Sequence, residues 1–407
     1  MKKYLVIFAV LLFAVSFAAC GVQAEPEPGL EGYEEFIEEI PEPEPPVELL
    51  ISAVGDVMMH LSQINAQRDD ATGTFDFNNN FVYIKKYIQE SDLAMFNLET
   101  TFAGSPYTGF PLFSAPDALA PALKSAGFDV AVFANNHVID KGIAGFRRTL
   151  EVLRENRFMT TGGRLSSEWE PRFVIAEVKG VNIAVIGYTY ASSSASGQLL
   201  VNGLPVPRGE EGLINYFRYE HLDTDLANIK ETVDEARAAG ADVVILYYHW
   251  GSEYQLTSNQ WQRTIAERSV KEMGADIILG AHPHVLQEVG FFFNERTGLQ
   301  VPVFYSMGNF ISNQRRETLP TTQNNRHTET GIIARINILF DVENRRLLDV
   351  SVSAIPTWVD RHTRGGRHVY HIIPLDEELE NNPTLAQSGQ LSKAKAALDD
   401  AIGILGL

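Results

Sequence analysis

Gly274-Ala275-Asp276-Ile277-Ile278-Leu279-Gly280-Ala281-His282-Pro283-His284-Val285 carries two histidines one residue apart, directly after a glycine-bounded apolar run. The run reads as a buried strand and the pair of imidazoles as a metal-binding turn. In open α/β sheets ligands bind in the crevice at the carboxyl ends of the strands. This stretch therefore predicts an α/β fold with a metal centre at a sheet edge, and the remaining ligands should follow other strands.

Working outward, the same arrangement repeats. Helical spacing over 222–239 precedes an apolar strand pattern at 242–248, which ends in His249-Trp250-Gly251-Ser252-Glu253-Tyr254, and a helix over 265–273 leads back to the opening stretch. Upstream, 128–134 runs into Asn135-Asn136-His137, with Asp140 and Gly142 completing the loop; 93–96 delivers Asn97-Leu98-Glu99-Thr100; and 49–54 runs into Gly55-Asp56, followed by Met58, Met59 and His60. Downstream, 303–307 ends in Gly308-Asn309-Phe310. A hairpin is expected around Lys179-Gly180. The Ser-, Gly- and Pro-rich segment 191–218 reads as a long surface excursion able to rim a substrate site. Beyond Phe310, two antiparallel strands (331–340 and 347–354) and a terminal helix (391–405) are expected, with no ligand set among them.

Collected in order, the strand-end residues are Asp56, Glu99, Asn136, His137, His249, His282 and His284. Oxygen and imidazole without thiolate suits Mn, Fe or Zn better than Ca or Mg, and the set is large enough for two ions sharing a carboxylate. These motifs, spanning residues 50 to about 312, resemble the CapA family, associated with capsule and poly-γ-glutamate synthesis, whose domain is similar in fold to the calcineurin-like metallophosphoesterases. The resemblance implies an α/β (α+β sandwich) fold with central β-sheets flanked by helices, and one or two divalent ions. It puts Asp56 and His284 at one ion, Asn136, His249 and His282 at the other, and Glu99 between them. It places His137, with Asp140, in the catalytic role of leaving-group acid, and Trp250, Glu253 and Asn309 against the substrate. Two positions depart from the phosphoesterase pattern: Met58 stands where a ligand histidine is expected, and the bridging residue is a glutamate rather than an aspartate. One ion's site is thereby left weak, empty, or completed by His60 or water, although His60 itself reads as an exposed polar residue.

Composition sets the surroundings. The chain has 407 residues, 45% of them hydrophobic, enough for a sizeable core. Lys2-Lys3, the apolar run 4–18 and Ala19-Cys20-Gly21 form the pattern of a secretory signal, here with the look of a bacterial lipobox in which Cys20, the single cysteine, is lipidated. An uncleaved anchor is the alternative, and both tether the protein outside the cytoplasmic membrane. Residues 21–48 are rich in Glu and Pro and read as an extended linker, with the folded domain expected over 49–375 and a tail carrying the terminal helix over 376–407. Losing Lys2 and Lys3 takes the net charge from −19 to −21, and setting aside the ten glutamates of the linker leaves −11. That sign argues against nucleic acid as a partner. An anionic polymer would need a local basic patch, for which Arg315, Arg316 and Arg326 are the candidates, or they are ordinary solvated surface. The leading expectation is a tethered protein of poly-γ-glutamate or capsule assembly with metal-dependent hydrolase or transferase chemistry, working with a membrane synthase. The alternatives are a general envelope phosphoesterase and a non-catalytic scaffold.

Overall fold

The computed structural model describes residues 45–406. The signal segment and nearly all of the acidic linker read from the sequence lie outside the described residues. Among the described residues no helix is long and apolar enough to cross a membrane.

Two sheets organise the chain. The first has eight strands in the order Arg367–Pro374, Arg346–Arg364, Thr330–Asp341, Val47–Val57, Leu93–Leu98, Val130–Val132 and Met159–Thr161, with Asn309–Ile311 paired beside the end of Val47–Val57. The second has nine. Its path runs Val289–Asn294, Leu299–Phe304, Ile277–Ala281, Val243–His249, Val181–Ser193, Leu199–Val201 and Leu204–Pro205, with Val174–Val178 and Tyr216–Arg218 also paired to Val181–Ser193. In the middle of each sheet the strands are parallel and joined through helices, so their carboxyl ends share one edge.

Parallel strands are covered on both faces, which is why they read as continuous apolar runs rather than alternating ones. One face of each sheet meets the other sheet: Ile51, Ala53, Met95 and Val132 pack with Ile183, Ile245, Tyr247 and Leu279. Tyr247 crosses this layer to donate its hydroxyl to the carbonyl of Val54 at 2.9 Å. The outer face of the first sheet is covered by helices Leu119–Ala126 and Gly142–Glu155, and that of the second by Leu222–Ala238 and Gln260–Lys271.

The expected hairpin turns at Lys179 (φ 49°) and Gly180 (φ 78°), two consecutive left-handed residues that match the twist of its strands. Segment 191–218 is not the surface excursion expected from its composition. The strand Val181–Ser193 continues three residues past Tyr190, and Leu199, Val201, Val206, Leu213 and Ile214 are buried in the first sheet's outer core. The polar residues that suggested a loop occupy the turns between short strands. At the carboxyl end, the hairpin Arg346–Arg364 and Arg367–Pro374 extends the first sheet, and the helix Leu391–Leu405 docks through Ala394, Ala397, Ala401 and Leu405.

Candidate metal centre

The parallel strand ends of both sheets converge on one buried cluster. Asp56 is the penultimate residue of Val47–Val57, and Glu99 follows Leu93–Leu98. Asn136 and His137 sit in the loop after Val130–Val132, His249 ends Val243–His249, and His282 and His284 follow Ile277–Ala281. A Cβ on Gly55 would come within 1.9 Å of the carbonyl oxygen of Gly308, so only glycine lets that loop close over the end of the Asp56 strand. His282 (φ 98°) and His284 (φ 58°) both adopt the left-handed conformation, rare for residues with a Cβ. Such backbone strain persists where the surrounding structure holds it, and here it aims two imidazoles separated by Pro283 into one cavity.

Asp56 is fully buried and accepts hydrogen bonds from the Asn97 side chain (2.8 Å) and from His284 Nδ1 (3.0 Å). Burial raises its carboxyl, but the bond and charge of His284 together hold it below its ordinary value. For His284 burial pulls downward, and the Asp56 bond and charge raise it in net. Burial, then the charge of Asp56, pushes Glu99 well above the carboxylate range. His249 and His282 are held neutral, chiefly by burial, the latter at about 3.

Glu99 lies 3.5 Å from His249 Nε2 and 3.8 Å from His284 Nε2. Neither of its buried oxygens has a hydrogen-bond partner in the protein, nor does Nδ1 of His282. Buried polar atoms are almost always partnered, so these orphans at one point fit a cation that takes their lone pairs. Atoms of Glu99, His282 and His284 lie within 4.8 Å of one another, as do atoms of Asp56, Glu99 and His249. The donor set is oxygen and imidazole nitrogen, which a divalent transition ion accepts. Glu99 is common to both groups, and His284 reaches two carboxylates, with Nδ1 at Asp56 (3.0 Å) and Nε2 turned toward Glu99 (3.8 Å). Asn136 Oδ1 is 2.9 Å from His249 Nε2.

His137 and Asp140 form a buried dyad, Nδ1 to Oδ2 at 2.8 Å. The same carboxylate oxygen accepts the amide N–H of Phe113 at 2.6 Å, and the Phe113 ring meets the His137 ring edge-on at 4.7 Å. Glu253 is exposed, next to the half-buried Tyr254 on the loop after His249.

Two expected placements are corrected. Trp250 points away from the cavity: it is fully buried, stacked on Tyr248 at 4.7 Å, with its indole N–H donated to the Tyr305 carbonyl at 2.9 Å, so it reaches no substrate. Alternation along an extended chain explains this, since His249 and its successor must face opposite sides. Asn309, also wholly buried, donates to Gln314 (3.0 Å) and the Thr328 carbonyl (2.9 Å) and leaves its Oδ1 without a partner in the protein, as part of the cavity wall. His60 is half-buried rather than exposed: its Nδ1 accepts the amide of Asn313 at 3.3 Å, and burial lowers it to about 4. At the Met58 position the thioether is buried 3.7 Å from Ser312 Oγ. Nor do the candidate arginines form a free basic patch. Arg315 is buried beside Glu317 (2.7 Å), Arg316 pairs with Glu329 (3.1 Å) and Arg326 with Asp400 (2.7 Å). Truncating Trp250 to Ala should cost about 3–5 kcal/mol of stability, as for other buried large-to-small changes. Denaturant titration would show this as a lower midpoint at unchanged slope.

Two residues of the cavity went unassigned in the sequence. Asn97 lies between Asp56 and His249 Nδ1 (3.3 Å) and itself accepts from Asn135 (3.2 Å). Tyr190 lies over the imidazoles, 4.8 Å from His282 and parallel to His249 at 6.3 Å. Asn97 sits inside an apolar strand, where a buried amide is itself the signal, and Tyr190 stands in Val181–Ser193 just before the extension hidden by polar composition.

Two face-to-face sheets that bring carboxylates and imidazoles to a common edge define a class of α/β proteins equipped to hold divalent cations. Within that class the chain belongs to the bacterial capsule synthesis protein PGA_cap family, whose model matches residues 50–314. The capsule biosynthesis protein CapA of Bacillus anthracis is 28% identical over 274 residues, 65% of this chain and 60% of that relative. The PGA biosynthesis protein CapA of Bacillus subtilis (strain 168) is 26% identical over 325 residues, 77% of this chain and 73% of the relative. The match thus spans less than two thirds of the first relative. Among solved structures, a phosphatase from Mycoplasma pneumoniae aligns with TM-score 0.43 and 14% identity, covering 76% of this chain and 94% of that one. The calcineurin-like phosphoesterase YfkN from Bacillus subtilis aligns with TM-score 0.40 and 15% identity, covering 87% and 99%.

Proposed function

We propose that this protein acts outside the cytoplasmic membrane in the assembly of poly-γ-glutamate or another capsule polymer, through a divalent-metal-dependent hydrolase or transferase centre. The observation that carries the reading is the buried carboxyl group of Glu99, unpartnered at both oxygens among three imidazoles and Asp56. A cation held by Asp56, Glu99, Asn136, His249, His282 and His284 would supply positive charge to polarise a phosphoryl or acyl oxygen and to acidify water. The chain does the rest. Asn97 fixes Asp56 and His249, Tyr190 screens the imidazoles from solvent, and Asp140 orients His137 so that Nε2 can hold a proton for the departing oxygen. Glu253, exposed on the loop after His249, is positioned to meet substrate at the rim.

In polymer-producing cells whose only copy carries His249→Ala, polymer should disappear while the protein still accumulates. Normal polymer in that strain would sink the catalytic reading in favour of a scaffold.

Tethering is supported by Lys2-Lys3, the apolar run 4–18 and Cys20. A single acyl chain gives only marginal membrane binding, and a diacylated amino-terminal cysteine gives stable anchoring. Fractionation of cells expressing Cys20→Ser should therefore find the protein released from or processed differently at the membrane. An unchanged mobility and membrane fraction would favour the uncleaved anchor.

A further inference from the structure

The carboxyl-terminal hairpin, where the sequence offered no ligand set, carries a second cluster. Asp360 and His371 are directly opposed across the antiparallel strands Arg346–Arg364 and Arg367–Pro374, and His362, two residues from Asp360, shares their face. Each contributes an atom within 4.8 Å of the others. The same face is apolar on one side of this point, where Trp358 and Ile373 pack beneath Leu385, Ala394 and Ala397. It becomes ionisable where the terminal helix begins.

One detail, at His371, favours a ligand over a simple polar pair. The Asp360 side chain is completely buried, and that of His362 is 10% exposed. Asp360 Oδ2 meets His362 Nδ1 at 2.6 Å and its Oδ1 accepts Gln390 Nε2 at 3.0 Å, so the carboxylate is already oriented from both sides. His371 is different: its Nδ1 is buried and has no partner in the protein. The two rings are nearly parallel, at 13°, with centroids 6.0 Å apart. The neighbouring cation, Lys393, is turned to Gln390 Oε1 (3.2 Å) and Glu317 (3.6 Å).

We propose that Asp360, His362 and His371 form a second divalent-cation site, separate from the strand-end cluster and structural in role, that ties the sheet hairpin to the start of the helix Leu391–Leu405. One carboxylate and two imidazoles select zinc or another late first-row ion over calcium or magnesium. Gln390 carries the coupling, because it holds Asp360 and the Arg361 carbonyl (2.9 Å) from the position preceding that helix.

The test uses the full chain with the first centre disabled by Glu99→Gln and His282→Ala, stripped with chelator and titrated with Zn2+ or Co2+. This variant should still bind about one equivalent, with a rise in melting temperature, since a cation that binds only the folded state stabilises it. Adding His371→Asn should weaken that binding at least tenfold and abolish the thermal shift. His371 is the clean probe, because its unpartnered nitrogen means that no protein hydrogen bond through it is lost. A disabled-centre variant that binds no ion, or one whose affinity and thermal shift are unchanged by His371→Asn, overturns the proposal and leaves an Asp–His hydrogen-bond pair. The outcome is independent of whether the strand-end cluster is catalytic.

Discussion

Purified protein carrying Glu99→Gln should lose stoichiometric metal at the strand-end centre and, with it, all metal-dependent turnover. Glu99 is the only residue common to both ligand groups, and both its oxygens lack partners in the protein. The amide is nearly isosteric but uncharged, and its NH2 offers a donor where a cation needs an acceptor. The loss should exceed that from Asn97→Ala, which removes only a residue orienting Asp56 and His249; such supporting partners are typically worth about 10–100-fold in metal affinity. Protons give a second reading. Burial and the Asp56 charge favour the protonated form of Glu99, whereas burial keeps His249 and His282 neutral, so an arriving cation displaces a proton chiefly from Glu99, with His284 the other candidate. Affinity should therefore rise with pH, because the proton competing for the site is then scarcer. Calorimetric titration in buffers of different protonation enthalpy should detect proton release for the wild type and less for Glu99→Gln. Equal release from both, or full metal occupancy in the variant, would contradict the assignment.

What the sequence made legible was the part of the fold built from buried parallel strands. Such strands are apolar throughout, so each ends visibly at its polar successor, and Asp56, Glu99, Asn136, His137, His249, His282 and His284 all stand at or just after such ends. Side-chain direction was harder to read. Trp250 stands next to His249 in the same motif, yet strand alternation sends it into the helix-covered core, and composition alone carries no sign of which neighbour faces the cavity. Segment 191–218 misled for another reason: short strands with polar turns have the composition of a loop, and burial of Val201, Val206 and Ile214 depends on the outer core they complete. Charge was equally opaque, since Arg315 looks like a surface cation until Glu317 and Glu329 are seen beside it. The Asp360 cluster was invisible because its members are separated along the chain and meet only through the register of one hairpin.

On the proposed reading of His137 as the acid, removing it should slow the reaction in proportion to how badly the leaving group needs a proton. His137 is held by Asp140 through Nδ1, which fixes the tautomer and leaves Nε2 as the atom able to carry a transferable proton. General acid catalysis of this kind contributes about 10²–10⁴-fold. His137→Ala should therefore depress metal-dependent turnover of an alkyl phosphodiester, or of the polymer itself, by that order. A nitrophenyl ester, whose anion departs unaided, should be cleaved at close to the wild-type rate. Asp140→Asn should show the same discrimination, since an amide can hold the ring in the wrong tautomer and cannot stabilise its cationic form. A variant merely damaged in fold would lose both substrates alike and shed its metal. The comparison thus requires metal content to stay at the wild-type level while the ratio of the two rates changes. If His137→Ala lowers both rates equally with metal retained, His137 positions the substrate and does not act as the acid, and the proton must come from solvent at the cavity mouth near Glu253.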